Sequence, residues 1–296
     1  MQNWGHFYFA LTDFAENLGG VFISSLCVLH FLAMNERLLK QALEGLPVTE
    51  IVYFPRTGST NDEAAILAAA GAPDFTLVVA DEQTAGRGRM GRRWFTSPGA
   101  ALAFTLVLRP WGHSAATHYA GLGALAVCST LQKDYGLKAQ IKWPNDVLLA
   151  GRKVAGVLVE TQWTGDNLQA VLVGIGLNVG HQSVPDLAVL AYPAACVEAF
   201  MPQPPEPEII LRQILNHLIE WHARLGSQEF LAAWQEYLAW KGQWVSVLGE
   251  NGSEIHKGVI QGLDADGALL LLGAAGETIT VRTGDISLRL ETPGGL

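Results

Sequence analysis

The sequence predicts an α+β protein, a mixed β-sheet carrying helices on one face, followed by a small all-β module. Three observations predict it. Short apolar runs interleave with helix-like stretches as far as Trp240. Several of the neighbouring strand-like runs are joined by Gly-containing turns, the signal of hairpins. Beyond Trp244 helical periodicity stops, and short runs alternate with Asn251-Gly252, Asp266-Gly267 and Gly276.

Taken in order, Asn35 to Leu46 predicts a short helix closed by Gly45, and Glu50 to Phe54 a first strand. Thr60-Asn61-Asp62-Glu63 has the form of a capping box, with Thr60 as the cap and Glu63 reaching back. The Ala-rich helix that follows runs to Ala70, where Gly71 and Pro73 stop it. Phe75 to Ala80 and Ala101 to Leu108 predict buried strands. Ser114 to Tyr135 predicts a long helix whose Gly and Ala content suits close packing on a sheet. Strands are then expected at Ala139 to Lys142, Asp146 to Leu149, Lys153 to Thr161 and Leu168 to Gly176, with turns at Gly151-Arg152 and Gly165-Asp166. Pro-rich Met201 to Pro207 is a linker, ahead of amphipathic helices near Glu208 to Leu225 and Ser227 to Trp240. The tail holds about five short strands, a small barrel or sandwich.

A chain of 296 residues is long enough for one large domain and a smaller one. Its net charge of −9, without any Lys/Arg-rich run, argues against generic binding to nucleic acid or anionic membrane. Cys27, Cys128 and Cys196 are odd in number and show no metal-ligand spacing, which reads as reduced thiols and no structural metal. Residues 1–33 contain no Lys or Arg, and the stretch from Gly19 to Met34 is largely apolar. It is shorter than the roughly 20 residues that span a bilayer. It reads as a dispensable extension, with translation able to start at Met34; a membrane-associated or docking helix is the alternative.

Chemistry concentrates in four segments. Gln83-Thr84-Ala85-Gly86-Arg87-Gly88-Arg89-Met90-Gly91-Arg92-Arg93-Trp94 joins glycines, which let a backbone approach a ligand, to arginines, which bind phosphate and carboxylate. It fits a mobile lid over an anionic small molecule; a solvated basic loop has the same composition. It is neither a Walker A loop nor a strand–GxGxxG–helix unit. Lys142-Trp143-Pro144-Asn145-Asp146 sets a cation, an amide and a carboxylate in one turn, where they either bind phosphate and a divalent metal or satisfy the backbone. Lys153 opens an apolar strand and either meets a ligand or snorkels to solvent. Gly174-Ile175-Gly176-Leu177-Asn178-Val179 puts glycines inside a strand, a mark of close approach by a ligand or backbone.

Together Ser59-Thr60-Asn61, Gln83 with GRGRMGRRW, KWPND, GRKVAGVLVE and GIGLNV resemble the biotin–protein ligases, in order and spacing, over about Glu50 to Leu290. The resemblance implies a class II aminoacyl-tRNA synthetase/biotin ligase-like sheet and an SH3-like C-terminal β domain. It implies ATP and biotin as substrates, Mg²⁺ as activator, and a biotin carboxyl carrier protein or domain, of acetyl-CoA carboxylase or a related carboxylase, as partner. Lys153, Arg89 and Lys142 would be catalytic. Ser59, Thr60, Asn61, Gln83, Arg87, Gly88, Arg89, Trp94, Lys153 and Gly156 would bind biotin. Arg87, Arg92, Trp94, Lys142, Asn145, Asn178 and Arg289 would bind nucleotide, and Asp146 the Mg²⁺.

One departure concerns the N-terminus. Repressor-type members carry a winged helix-turn-helix ahead of the ligase domain, and a DNA-reading helix needs cations that residues 1–33 lack. The expected organisation is an extension at 1–46 without a DNA-binding domain, a catalytic domain at 47–241 and a β domain at 242–296. No DNA or membrane partner, a cytoplasmic location and compatibility with a homodimer complete the expectation. A lipoate–protein ligase, which shares the fold, and a biotin-responsive transcriptional regulator are the alternatives. Lipoate lacks the ureido group that Ser59-Thr60-Asn61 and Gln83 would serve.

Overall fold

The computed structural model describes residues 34–110, 115–185, 192–203, 205–249, 251–282 and 286–290. The expectations for residues 1–33, Cys27 among them, and for the helix start at Ser114 lie outside the described residues.

Helix α1 (Glu36–Ala42) begins where the Asn35 side chain accepts the Leu38 N–H at 2.9 Å, and it buries Leu39. Seven strands then form one sheet: β1 (Glu50–Thr57), β2 (Thr76–Gln83), β3 (Ala101–Leu108), β4 (Ala139–Lys142), β5 (Asp146–Leu149), β6 (Arg152–Thr164) and β7 (Asn167–Asn178). Their order is β1-β2-β3-β7-β6-β5-β4, and only β1 with β2 is parallel. That pair is joined by α2 (Thr60–Ala69), as a parallel connection requires. The long β6–β7 hairpin extends beyond both expected strands, turning at Gly165. The β5–β6 turn uses Ala150 and Gly151, both at positive φ, one residue earlier than expected.

Helices α3 (Ala116–Ser129), continued by a wide turn at Thr130–Asp134, and α4 (Pro207–His222) form the expected helical layer on one face. Gly123 of α3 comes close to Val157 and Ile175. The residue before Ile175, Gly174, faces Asn61 of α2. Successive strand residues point to opposite faces, so α2 lies on the other side of the sheet. There Ala64 and Ala68 pack with Val78, Val107 and Leu172.

The expected capping box does not form. Ser59 is the N-cap and Thr60 already the first helical residue, because the Thr60 N–H is taken by Gln83 Oε1 at 2.8 Å. Glu63 instead accepts from Thr57 Oγ1 at 2.6 Å. A tertiary acceptor has displaced the local one.

After α5 (Gln228–Glu236), capped by Ser227 on the Phe230 N–H, comes a second, antiparallel sheet. Its strands are β8 (Trp244–Gly249), β9 (Glu254–Leu263), β10 (Leu269–Leu272), β11 (Thr278–Val281) and β12 (Ile286–Leu290), ordered β11-β10-β9-β8-β12. The β9–β10 turn meets the first sheet's elements: its Gly267 carbonyl accepts from Trp143 Nε1 at 2.9 Å, and His118 Nε2 lies 3.0 Å from the Ala265 carbonyl. No helix among the described residues is long and apolar enough to cross a membrane.

Candidate active site

The N-terminus of α2, the 83–95 loop, the β4–β5 turn and the glycine-bearing parts of β6 and β7 enclose a cavity of about 430 Å³. Three glycines make its floor approachable. A Cβ on Gly174 would lie 2.1 Å from Asn61 Oδ1, and one on Gly176 would lie 2.3 Å from the Trp94 ring. The close approach expected of these strand glycines is therefore made by the protein's own side chains.

One end of the cavity is polar and neutral. Gln83 Oε1 accepts from Thr60 N and Oγ1, at 2.8 and 3.1 Å, while Gln83 Nε2 donates to Thr96 Oγ1 at 3.0 Å. Thr105 Oγ1 lies 2.9 Å from Thr60 Oγ1 and 2.6 Å from Asn61 Oδ1, and Asn61 Nδ2 donates to Glu160 at 2.7 Å. Ser59, Thr60 and Asn61 are buried, so this set of donors and acceptors is held rigidly.

The other end is cationic around a single carboxylate. Asp146 Oδ1 lies 2.5 Å from Lys153 Nζ, and Oδ2 lies 3.9 Å from Lys142 Nζ. Burial pushes the Asp146 carboxyl up, but the charges of Lys153, Lys142 and Arg89 outweigh it and hold it below the usual range. Burial lowers the Lys142 ammonium to about 8 against the attraction of Asp146, and Arg289, Lys153 and Arg92 push the same way. Lys142 Nζ also sits 4.0 Å from the centre of the Tyr192 ring, a cation–π contact.

The Gly/Arg loop lies over this cavity with its own backbone bonds, Gly88 N to Arg92 O at 2.7 Å and Trp94 N to Gly86 O at 2.9 Å. Met90 and Gly91, at φ 58° and 65°, turn it back. Arg89 Nη1 donates to Asn145 Oδ1 at 3.2 Å, and Asn145 Nδ2 to the Val157 carbonyl at 2.8 Å. Lys153 Nζ lies 5.4 Å from the centre of the Trp94 ring. Arg87 is turned toward carboxylates, donating to Asp62 at 2.6 Å and to Glu160 at 3.3 Å. The Asp62 hydrogen bond, with help from Glu160, outweighs burial and raises its pKa.

All the sequence-predicted site residues line this one cavity except Arg289. Leu288, its neighbour on β12, lines the cavity, and the Arg289 guanidinium lies 5.7 Å from the centre of the Tyr192 ring. Asn178 Nδ2 is held by the Ala195 carbonyl at 3.0 Å. Sequence reasoning missed Glu160, Thr96, Thr105 and Tyr192. Glu160 ends an apolar strand run that gives no sign of its two partners. Tyr192 belongs to no motif; a parallel bridge between Lys153 and Ala194 carries it over Lys142.

Fold and cavity together define an α+β protein whose described residues enclose a pocket that is polar and neutral at one end and cationic at the other. The chain belongs to the biotin–protein ligase family. Residues 53–178 match the model of the biotin/lipoate A/B protein ligase family, and residues 242–289 that of the biotin protein ligase C-terminal domain. A biotin–[acetyl-CoA-carboxylase] ligase of Paracoccus denitrificans is 39% identical over 233 residues, which is 76% of this chain and 95% of that protein. One from Mycobacterium tuberculosis is 29% identical, over 86% of this chain and 95% of that protein. Among solved structures, the biotin protein ligase from Aquifex aeolicus in complex with biotin and ATP is similar with a TM-score of 0.71 and 27% identity. The likeness covers 82% of this chain and 100% of that one.

Proposed function

We propose that this chain activates biotin with ATP and transfers it to a lysine of a biotin carboxyl carrier protein or domain, such as that of acetyl-CoA carboxylase. The observation that carries the reading is a cavity with its neutral end at Gln83 and Thr60 and its cationic end at Lys153, Lys142 and Asp146.

In the first step a biotin carboxylate oxygen attacks the α-phosphorus of ATP, giving biotinyl-5′-AMP and pyrophosphate. Carboxylate and triphosphate repel each other, so their approach needs fixed cations. Lys153, beside the Gly156 floor, is the group to bridge the two, and Arg89, Arg92 and Lys142 offset the charge developing at phosphorus. In the second step a carrier lysine amine attacks the carbonyl carbon of the mixed anhydride, AMP leaves, and the amine proton passes to solvent. At the other end Ser59, Thr60, Asn61 and Gln83, with loop backbone at Arg87 and Gly88, would hold the ureido ring. Trp94 would cover the pocket, and Asn145, Asn178 and Arg289 would face the nucleotide.

Asp146, the one carboxylate among the described residues lining the cavity, would hold a Mg²⁺ brought with ATP, which would offset the phosphate charge. The reaction is assigned to the cytoplasm, in keeping with the free, buried Cys128 and Cys196. No DNA contact enters this reading.

ATP-dependent incorporation of labelled biotin into a biotin carboxyl carrier domain tests it, alongside pyrophosphate release with biotin or lipoate. Release with biotin and labelling of the carrier lysine are expected. Release with lipoate but not biotin would overturn the reading.

A further inference from the structure

Outside the cavity, three residues that no spacing singles out meet in space. Among the described residues, donor atoms of His181, Cys196 and Glu198 lie within 4.8 Å of one another. His181 and Cys196 are 15 residues apart and match no ligand signature, which is why sequence reasoning expected no structural metal. We propose that these residues form a binding site for a borderline-soft divalent cation of the zinc class.

The donor set carries the choice of ion. One imidazole nitrogen, one thiolate and one carboxylate oxygen are the mixed N/S/O ligands that zinc takes, whereas Mg²⁺ and Ca²⁺ favour oxygen alone. The distance carries the geometry. Cys196 Sγ lies 3.5 Å from His181 Nδ1. Zn–S of 2.3 Å and Zn–N near 2.0–2.1 Å at a tetrahedral angle place the two donors about 3.6 Å apart.

The scaffold is preorganised. His181 opens a short turn after β7, and Cys196 precedes a second turn at Val197–Phe200. The two turns are bonded to each other, Glu198 N to the Val179 carbonyl at 2.9 Å and His181 N to Glu198 Oε2, also at 2.9 Å. The second bond orients the carboxylate, whose Oε2 also lies 4.0 Å from His181 Nε2, as outer-shell contacts do in metal sites. Cys196 is buried, Glu198 half-buried and His181 exposed, so a fourth position opens to solvent for water. Binding exchanges the Cys196 S–H for an S–metal bond and releases one proton to solvent. The bound ion would tie the end of β7 to the segment whose Ala195 carbonyl holds Asn178.

The test uses the full chain freed of metal by a chelator, with zinc chloride or cobalt chloride alone as probe. One tightly bound zinc per chain by equilibrium dialysis, a sulfur-to-cobalt charge-transfer band and a Tm that climbs with zinc concentration are expected. C196S should lose the band, and both C196S and H181Q should bind zinc at least tenfold more weakly while keeping ATP-dependent labelling in the absence of zinc. No stoichiometric binding by the wild type, or wild-type zinc affinity in both variants, would overturn the site. Neither result bears on the ligase reading, because none of the three residues lines the cavity.

Discussion

Lys153 Nζ lies 2.5 Å from Asp146 Oδ1, so the lysine and the carboxylate assigned to substrate and metal neutralise each other across the β5–β6 hairpin. The lysine side chain is 26% exposed and that of Asp146 14%. An anionic substrate would therefore take over the ammonium only if Asp146 keeps another cation, as Lys142 at 3.9 Å would provide.

Lys153→Ala should nearly abolish adenylate formation and leave the fold intact, since Lys142 and Arg89 still face Asp146. A charged donor aimed at developing charge is worth about 2–4 kcal/mol, or roughly 10²–10³ in rate. Pyrophosphate release at near wild-type rate by the folded variant would remove Lys153 from this role.

Arg89→Gly should leak the adenylate more than it harms folding. Arg89 ties the Gly/Arg loop to Asn145, itself anchored on β6, and the loop has few apolar anchors. Biotinyl-AMP in the medium and unselective labelling of bystander lysines are the expected signs. Labelling confined to the carrier would contradict a lid.

Glu160→Gln probes the latch below the neutral end. The carboxylate joins Asn61 of α2 to Arg87 of the loop, at 2.7 and 3.3 Å, without lining the cavity. The Arg87–Glu160 pair is more than one-third exposed, so its loss costs at most about 1 kcal/mol. A two- to fivefold rise in the KM for biotin is expected on that scale, with kcat little changed (1.4 kcal/mol being about tenfold). An equal fall in kcat would point to a wider structural role.

The depressed Lys142 pKa predicts opposite pH trends for affinity and stability. Lys142 loses its charge as pH rises through about 8, so affinity for ATP should fall across that range. Between about 8 and the ordinary lysine value of 10.5 the unfolded chain holds the proton and the folded one does not, so this group makes the free protein more stable as pH rises. Binding of ATP and chemical denaturation from pH 7 to 9, compared between wild type and Lys142→Met, check both trends. A variant that keeps the wild-type slopes would exclude Lys142 as their source.

Local sequence determined most elements, because turns and apolar runs act over a few residues. β3, β4 and β5 fall where their apolar runs lie, and the Asn35 and Ser227 side chains cap their helices by accepting the backbone N–H three residues on. The clustered Gly, Arg and Lys motifs likewise mark Lys153, Asp146, Gln83 and Arg89 without reference to packing. Only the tertiary structure decided how those groups are used. The Thr60 N–H chose Gln83, 23 residues away, over a cap of its own, and α2 crossed to the cavity face of the sheet. Glu160 met Arg87 across 73 residues, and His181, Cys196 and Glu198 met where two turns dock. Such pairings are invisible to periodicity, because they depend on which strands become neighbours, and strand order is settled by burial over the whole chain.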